Sequence, residues 1–147
     1  MSIFKLKYVN TTGLLYKEAV KIREALFFKN MMNSSDLIQD SFESKGIHLV
    51  CLDQDEVIGT GRLNIENSTS IISQMAIKRS HQKQGVGAKI LNELVKYSKE
   101  KEVINIKVSA RETAVAFYNK FNFVANGDKY PSQKTGIIHQ QMVLKIN

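Results

Sequence analysis

One cysteine, one proline and no tryptophan in 147 residues leave this sequence without most of the devices that staple or punctuate a fold. With Cys51 alone, no intrachain disulfide can form. One cysteine and three scattered histidines also show no metal-ligand spacing, so no metal site is expected. There is no Ser/Gly-rich tract, repeat or low-complexity block to mark a linker. Long hydrophobic runs are missing too. The opening "MSIFKLKYVN" alternates apolar and polar residues and lacks the stretch that a signal peptide or a membrane span requires. These absences predict a soluble, cytoplasmic protein with no membrane partner. The length and a 43% hydrophobic content suit one domain over residues 1–147.

Acidic residues are in short supply: 21 Lys+Arg against 14 Asp+Glu give a net charge of +7. That excess implies an anionic partner, and nucleic acid, a phosphorylated cofactor and plain solubility all satisfy it. A basic nucleic-acid-binding module is the weakest reading, because no basic helix, zinc spacing or aromatic RNA-binding signature accompanies the charge. Position along the chain says more. Lys78, Arg79, His81, Lys83 and Lys89 all cluster around "SHQKQGVGAKIL", residues 80–91.

Hydrophobic periodicity places that stretch. "FKLKYV" (4–9) reads as a strand and residues 14–31 as a helix, with Leu15, Ala19, Ile22, Leu26 and Phe27 on one face. "SSDLIQDSF" offers a short helix. Strands at 46–53, 56–65 and 70–77 are separated by spacers short enough for hairpins. After Ile77 the period changes from two to about four, with Val86, Ile90, Leu91, Leu94, Val95 and Ser98 at helical spacing. "VINIKVSA" (103–110) then alternates as a strand, "ETAVAFYNKF" reads as a helix, and "FNFVAN" and "HQQMVLKI" as final strands. The fold class is α/β (α+β mixed): a central, mostly antiparallel mixed sheet with helices on both faces.

The glycine loop thus joins a strand to a helix. A helix N-terminus presents backbone N–H groups without partners and roughly half a positive charge, so anions bind there. Gly85 and Gly87 remove the Cβ atoms that would hold a phosphate away. A Walker loop is excluded because Gly87 is followed by Ala88, Lys89 and Ile90. A dinucleotide fingerprint needs a small residue where Ile90 stands.

Gln82-Lys83-Gln84-Gly85-Val86-Gly87, after the strand "SQMAI", resembles the acyl-CoA binding motif of the GNAT superfamily of N-acetyltransferases, Gln/Arg-x-x-Gly-x-Gly/Ala. "AVAFYNKFNF" (114–123) resembles the family's Ala-x-x-Phe-Tyr-x-x-x-Gly-Phe segment, and the order of elements matches over nearly the whole chain. "RLNI", "VSARETAVAFY" and "NGDKYPSQKTGIIHQQM" look like the ElaA-like branch, through Arg62, Tyr130 and His139. The resemblance implies a sheet splayed at the cofactor site, where acetyl-CoA lies along the backbone of Met75, Ala76 and Ile77. It places the pyrophosphate on the amides of Gln82, Lys83, Gln84, Gly85, Val86, Gly87 and Ala88. It further implies direct attack by a primary amine on the thioester, with Tyr118 as the acid that protonates the departing thiolate. Two positions depart from the family pattern. Arg111 replaces an Asn associated with the pantetheine arm, and a guanidinium there could instead meet a phosphate or a substrate carboxylate. Asn122 replaces a Gly, which a left-handed turn tolerates.

Candidates for the general base are Glu66, Glu112, His48 and His139. Arg62 either orients an acidic group on the substrate or is a solvated strand residue. Cys51, far from any helix start, reads as a buried small hydrophobe and not as a nucleophile. The alternative to an enzyme is a sensor that binds acyl-CoA without chemistry. The acceptor, a small-molecule or peptide amine, is not written in the sequence, and a homodimer stays open.

Overall fold

Strict alternation in short segments and a 3.6-residue period in long ones produce the elements expected, with differences at the ends. The computed structural model describes residues 3–29 and 31–146, apart from the Asp36 side chain. Its elements are β1 (Phe4–Val9), α1 (Leu14–Phe27), α2 (Ser34–Ile38), β2 (Ile47–Asp53), β3 (Glu56–Glu66), β4 (Thr69–Ile77), α3 (Val86–Glu100), β5 (Asn105–Arg111), α4 (Val115–Asn119), β6 (Val124–Ala125), β7 (Tyr130–Pro131) and β8 (Ile138–Lys145). They form one sheet in the order β1-β2-β3-β4-β5-β8-β6, with β7 also on β8. Every pairing is antiparallel except that of β4 with β5.

Helices cover both faces. On one, α3 brings Val86, Ile90, Leu91 and Leu94 against Leu49, Cys51, Leu63 and Ile106, and Tyr118 and Phe123 join the same cluster. On the other, Ala19 and Ile22 of α1 meet Val50, Val57 and Ala76. Strand β2 shows the consequence: Leu49, Val50 and Cys51 are all fully buried, because their alternating side chains enter two different cores. Ser98, on the apolar face of α3, is buried with its hydroxyl 2.7 Å from that of Ser70. Glycines on β3 set how close α3 can lie. A Cβ at Gly61 would stand 2.8 Å from the Met75 sulfur and 3.0 Å from Ile90 and Leu94.

Three expectations are corrected. The first helix stops at Phe27 instead of residue 31, with Phe28 leaving helical geometry; Asn30 lies outside the described residues. Strand β5 begins at Asn105, and Ile104 is 57% exposed, so its alternation is inward only from Ile106. The segment from Glu112 opens as a single 3-10 turn before α4, which is only five residues long. One pairing has no counterpart among the expected strands: β7 at Tyr130 and Pro131, which has no apolar alternation to announce it. Asn122 does take the left-handed conformation, φ +70°.

Candidate active site

Strands β4 and β5 pair over only four residues, Thr69–Ile72 against Asn105–Val108, and then part. Beyond that point the β5-facing edge of residues 73–77 has no strand partner. A bulge lies at the start of this open stretch. Thr60 pairs with Ala76 but Arg62 pairs with Ser73, so Gly61 of β3 faces both Gln74 and Met75, and Gln74 sits at φ +56°. An open edge of this kind can accept a further extended chain through main-chain hydrogen bonds.

At the end of β4 the chain turns through residues 78–85 into α3. Gln82 Nε2 donates to the Ile77 carbonyl (2.9 Å) and Gln84 Nε2 to that of Ser80 (3.3 Å), so both side chains hold the loop. Lys83 and Gly85 are left-handed, φ +64° and +82°. The first helical bond runs from the Lys89 N–H to the Gly85 carbonyl, and no acceptor among the described residues takes the N–H groups of Val86, Gly87 and Ala88. A Cβ at Gly87 would make ordinary contact, 3.5 Å, with Phe117. Of the basic residues around the loop, Lys78 pairs with Glu56 and His81 with Asp53. Arg79, Lys83 and Lys89 have no carboxylate partner among the described residues, so they leave a net positive rim.

A cleft of about 800 Å³ runs through the wedge between β4 and β5. Phe27, Phe28 and Phe42 wall it on the α1 side, and Tyr118 enters from α4. Tyr118 is 5% exposed and its hydroxyl has no hydrogen-bond partner among the described residues. Burial pushes its phenol well above the ordinary range, so the hydroxyl keeps its proton at any working pH.

Of the four base candidates, His139 alone lines the cleft. Its Nδ1–H donates to the Ile137 carbonyl (2.8 Å), which leaves Nε2 without the proton in the neutral ring. His48 is buried beneath the site, hydrogen-bonded to the Glu43 carbonyl, and burial lowers its pKa. Glu66 ends β3 in solvent and Glu112 pairs with Lys129. Cys51 is wholly buried, with its thiol pKa raised by burial.

Arg62 is neither solvated nor free. Its guanidinium donates to Asp40 (2.9 Å), Glu43 (2.8 Å) and Ser73 (2.9 Å). Glu43 is 1% exposed and also takes a two-pronged pair from Arg23 (2.8 Å each) and the Tyr16 hydroxyl. Burial would raise the Glu43 carboxyl, but the hydrogen bonds from Arg23, Tyr16 and Arg62 together with the charge of Arg23 outweigh it and hold the pKa at about 2. Arg23 reaches on to Gln74, the left-handed residue of the bulge (3.1 Å). Sequence reasoning missed this network. Its one signal was Arg23 itself, a charge four residues after Ala19 on the apolar face of α1.

The model of the acetyltransferase (GNAT) domain family matches residues 15–146. The Bacillus subtilis (strain 168) protein YyaT is 26% identical over 97% of this chain and 96% of its own. Among solved structures, a Lactobacillus plantarum protein described as a candidate N-acetyltransferase superposes with a TM-score of 0.83 at 17% identity, covering 98% of this chain and 99% of its own. Escherichia coli ElaA superposes with a TM-score of 0.79 at 14% identity, covering 96% and 99%. At such identities those two likenesses are of fold. The chain belongs to the acetyltransferase (GNAT) family, whose acyl donor is acetyl-CoA. Among the described residues no group of three His, Cys, Asp or Glu side chains could hold a metal ion, and no helix is long and apolar enough to cross a membrane.

Proposed function

We propose that this protein transfers an acetyl group from acetyl-CoA to a primary amine by direct attack in a ternary complex. The observation that carries the reading is the wedge: an unpaired β4 edge, a protonated phenol and an imidazole share one cleft. The chain's own geometry fits the donor. Met75, Ala76 and Ile77 offer open backbone, and the turn from Gln82 to Ala88 offers amides that a pyrophosphate can take. Gly85 holds a backbone angle that other residues resist, and this angle lets the loop close over an anion. Acetyl-CoA supplies an activated carbonyl carbon, to which the amine nitrogen bonds as the carbon–sulfur bond breaks, giving an N-acetyl product and CoA.

The protein's part is to orient and to move protons. The bulge at Gln74 and Met75 turns main-chain N–H groups out of the β3 ladder, where one can meet a developing oxyanion. His139 Nε2 takes the proton that the amine loses. Tyr118 holds its proton toward the departing sulfur. Reference values near 10 for a phenol and 8.5 for a thiol already make full transfer mildly uphill. Burial makes it more so, and the hydroxyl therefore acts through a strong hydrogen bond as the thiolate forms.

Initial velocities over a grid of acetyl-CoA and amine concentrations test the reading. Intersecting lines are expected, with no acetyl group on Cys51 by mass spectrometry in the absence of acceptor, and most turnover retained in Cys51→Ala. Parallel lines with a kinetically competent acetyl adduct would overturn direct transfer. Tight acetyl-CoA binding with no turnover on any amine would leave a sensor.

A further inference from the structure

Among the described residues four charged side chains line the cleft: Asp40, Arg62, Arg111 and Lys134. Three of them are neutralised within the protein. Arg62 is held by Asp40 and Glu43, and Lys134 donates to Asp40 (2.8 Å) and to the Leu37 carbonyl (2.9 Å). Arg111 has no carboxylate among the described residues. Its guanidinium lies 5.1 Å from the centre of the Phe27 ring, and its one hydrogen bond is a long contact of 3.5 Å to the Leu26 carbonyl. It is half-buried, and burial alone lowers its pKa, with no anion opposing. A guanidinium with five donors and one weak acceptor is a site missing its anion.

Its placement says which ligand it meets. Ile106, Val108 and Ala110 of β5 pack in the same core as α3, so Arg111 takes the opposite face and extends toward the C-terminal end of α1, away from the helix whose start would hold the pyrophosphate. It stands directly opposite His139 in the β5–β8 register, and His139 stands opposite Tyr130 in the β7–β8 register. Paired residues share a face with Cβ atoms roughly 5 Å apart. An anion on Arg111 therefore lies one short side chain from the imidazole that receives the amine proton. Among the described residues no carboxylate is free in the cleft to hold a cationic acceptor, since Asp40 already serves two cations.

We propose that the acceptor is a small primary amine that also carries a carboxylate, and that Arg111 binds that carboxylate and sets specificity. This rests on the acetyltransferase reading above. The spacing from Arg111 to His139 fits an amino acid in which a few carbons separate the two groups.

The test uses matched pairs: ω-amino acids of two to six carbons, their carboxamides, and the corresponding aminoalkylphosphonates. Each is assayed for turnover, and by calorimetry for binding to the CoA-bound enzyme. The parent should prefer the carboxylate over its amide by tenfold or more in kcat/KM, expressed in KM and matched in Kd. Arg111→Gln should bring that ratio to about one while the acetyl-CoA Kd moves less than about twofold, and Arg111→Lys should recover part of it. Equal use of acid and amide, or a preference that survives Arg111→Gln, overturns the assignment and leaves the acetyltransferase reading standing. A phosphonate favoured over the carboxylate overturns the carboxylate in favour of a phosphate-bearing acceptor. Arg111-dependent binding of the acid with no acetyl transfer to any amine would keep the anion site and sink the catalytic reading instead.

Discussion

Tyr118 buries its ring and lines the cleft. The ring is buried, but the hydroxyl is not among the fully buried polar atoms that lack a partner, so Tyr118→Phe, which keeps the ring, should leave the melting temperature nearly unchanged. On the proposed mechanism the same change deletes the proton held toward the departing sulfur. A group acting only as that bond breaks stabilises the transition state and not the bound substrate, so kcat should fall with little change in acetyl-CoA Kd. General acids contribute about 10²- to 10⁴-fold, and the raised phenol pKa puts this one toward the low end. Single-turnover kinetics with thermal melts check both halves. Parent-like turnover would make Tyr118 a packing residue, and a lowered melting temperature would show a hydrogen bond to its hydroxyl.

The start of α3 is the element on which the proposed donor binding depends. A Cβ at Gly87 meets Phe117 at an ordinary distance, so bulk alone does not exclude other residues there. Gly87→Ala should bind acetyl-CoA nearly as well as the parent. Gly87→Asp should lose it by a hundredfold or more, because a carboxylate takes the amides meant for phosphate. The protein should stay folded, since a negative charge suits the first turn of a helix. Calorimetry on the two variants separates charge from size, and equal loss in both would return the explanation to sterics. The parent's affinity should also weaken with salt, as the unpaired Arg79, Lys83 and Lys89 act through screened attraction.

For the molecule as a whole, Glu43 ties together α1, β3 and the segment after α2, and through Arg23 the bulge of β4. Its folded pKa of about 2 lies below the ordinary 4.5, so the stabilisation is fully present above the unfolded value and is lost as pH falls from about 5 toward 2. The shift corresponds to about 3 kcal/mol. Asp40, also lowered, adds loss in the same direction. Denaturant unfolding from pH 7 to 3 should therefore show a steeper acid loss in the parent than in Glu43→Gln. The variant should start about 3 to 5 kcal/mol lower, because Arg23 is left buried without a counter-charge and Arg62 keeps only Asp40. Parallel pH profiles would mean that Glu43 does not titrate with folding.

Sequence alone determined whatever is local: where alternation of two gives way to a helical period, the glycines at the start of α3, the core face of that helix down to Ser98, and the left-handed turn at Asn122. These follow from the conformational preferences of neighbouring residues. Tertiary structure decided whatever depends on pairs distant in the chain. That β4 and β5 part after Ile72 is a matter of register between strands 36 residues apart. That His139 and not His48, Glu66 or Glu112 reaches the cleft depends on which strand faces open, and an isolated histidine carries no mark of it. Arg62, Asp40 and Glu43 look like ordinary surface charges until folding buries two of them together. Arg111 stands out in sequence as a departure from the family pattern, but that it is left without an anion follows from the fold, which gives the other described charges of its cleft a partner.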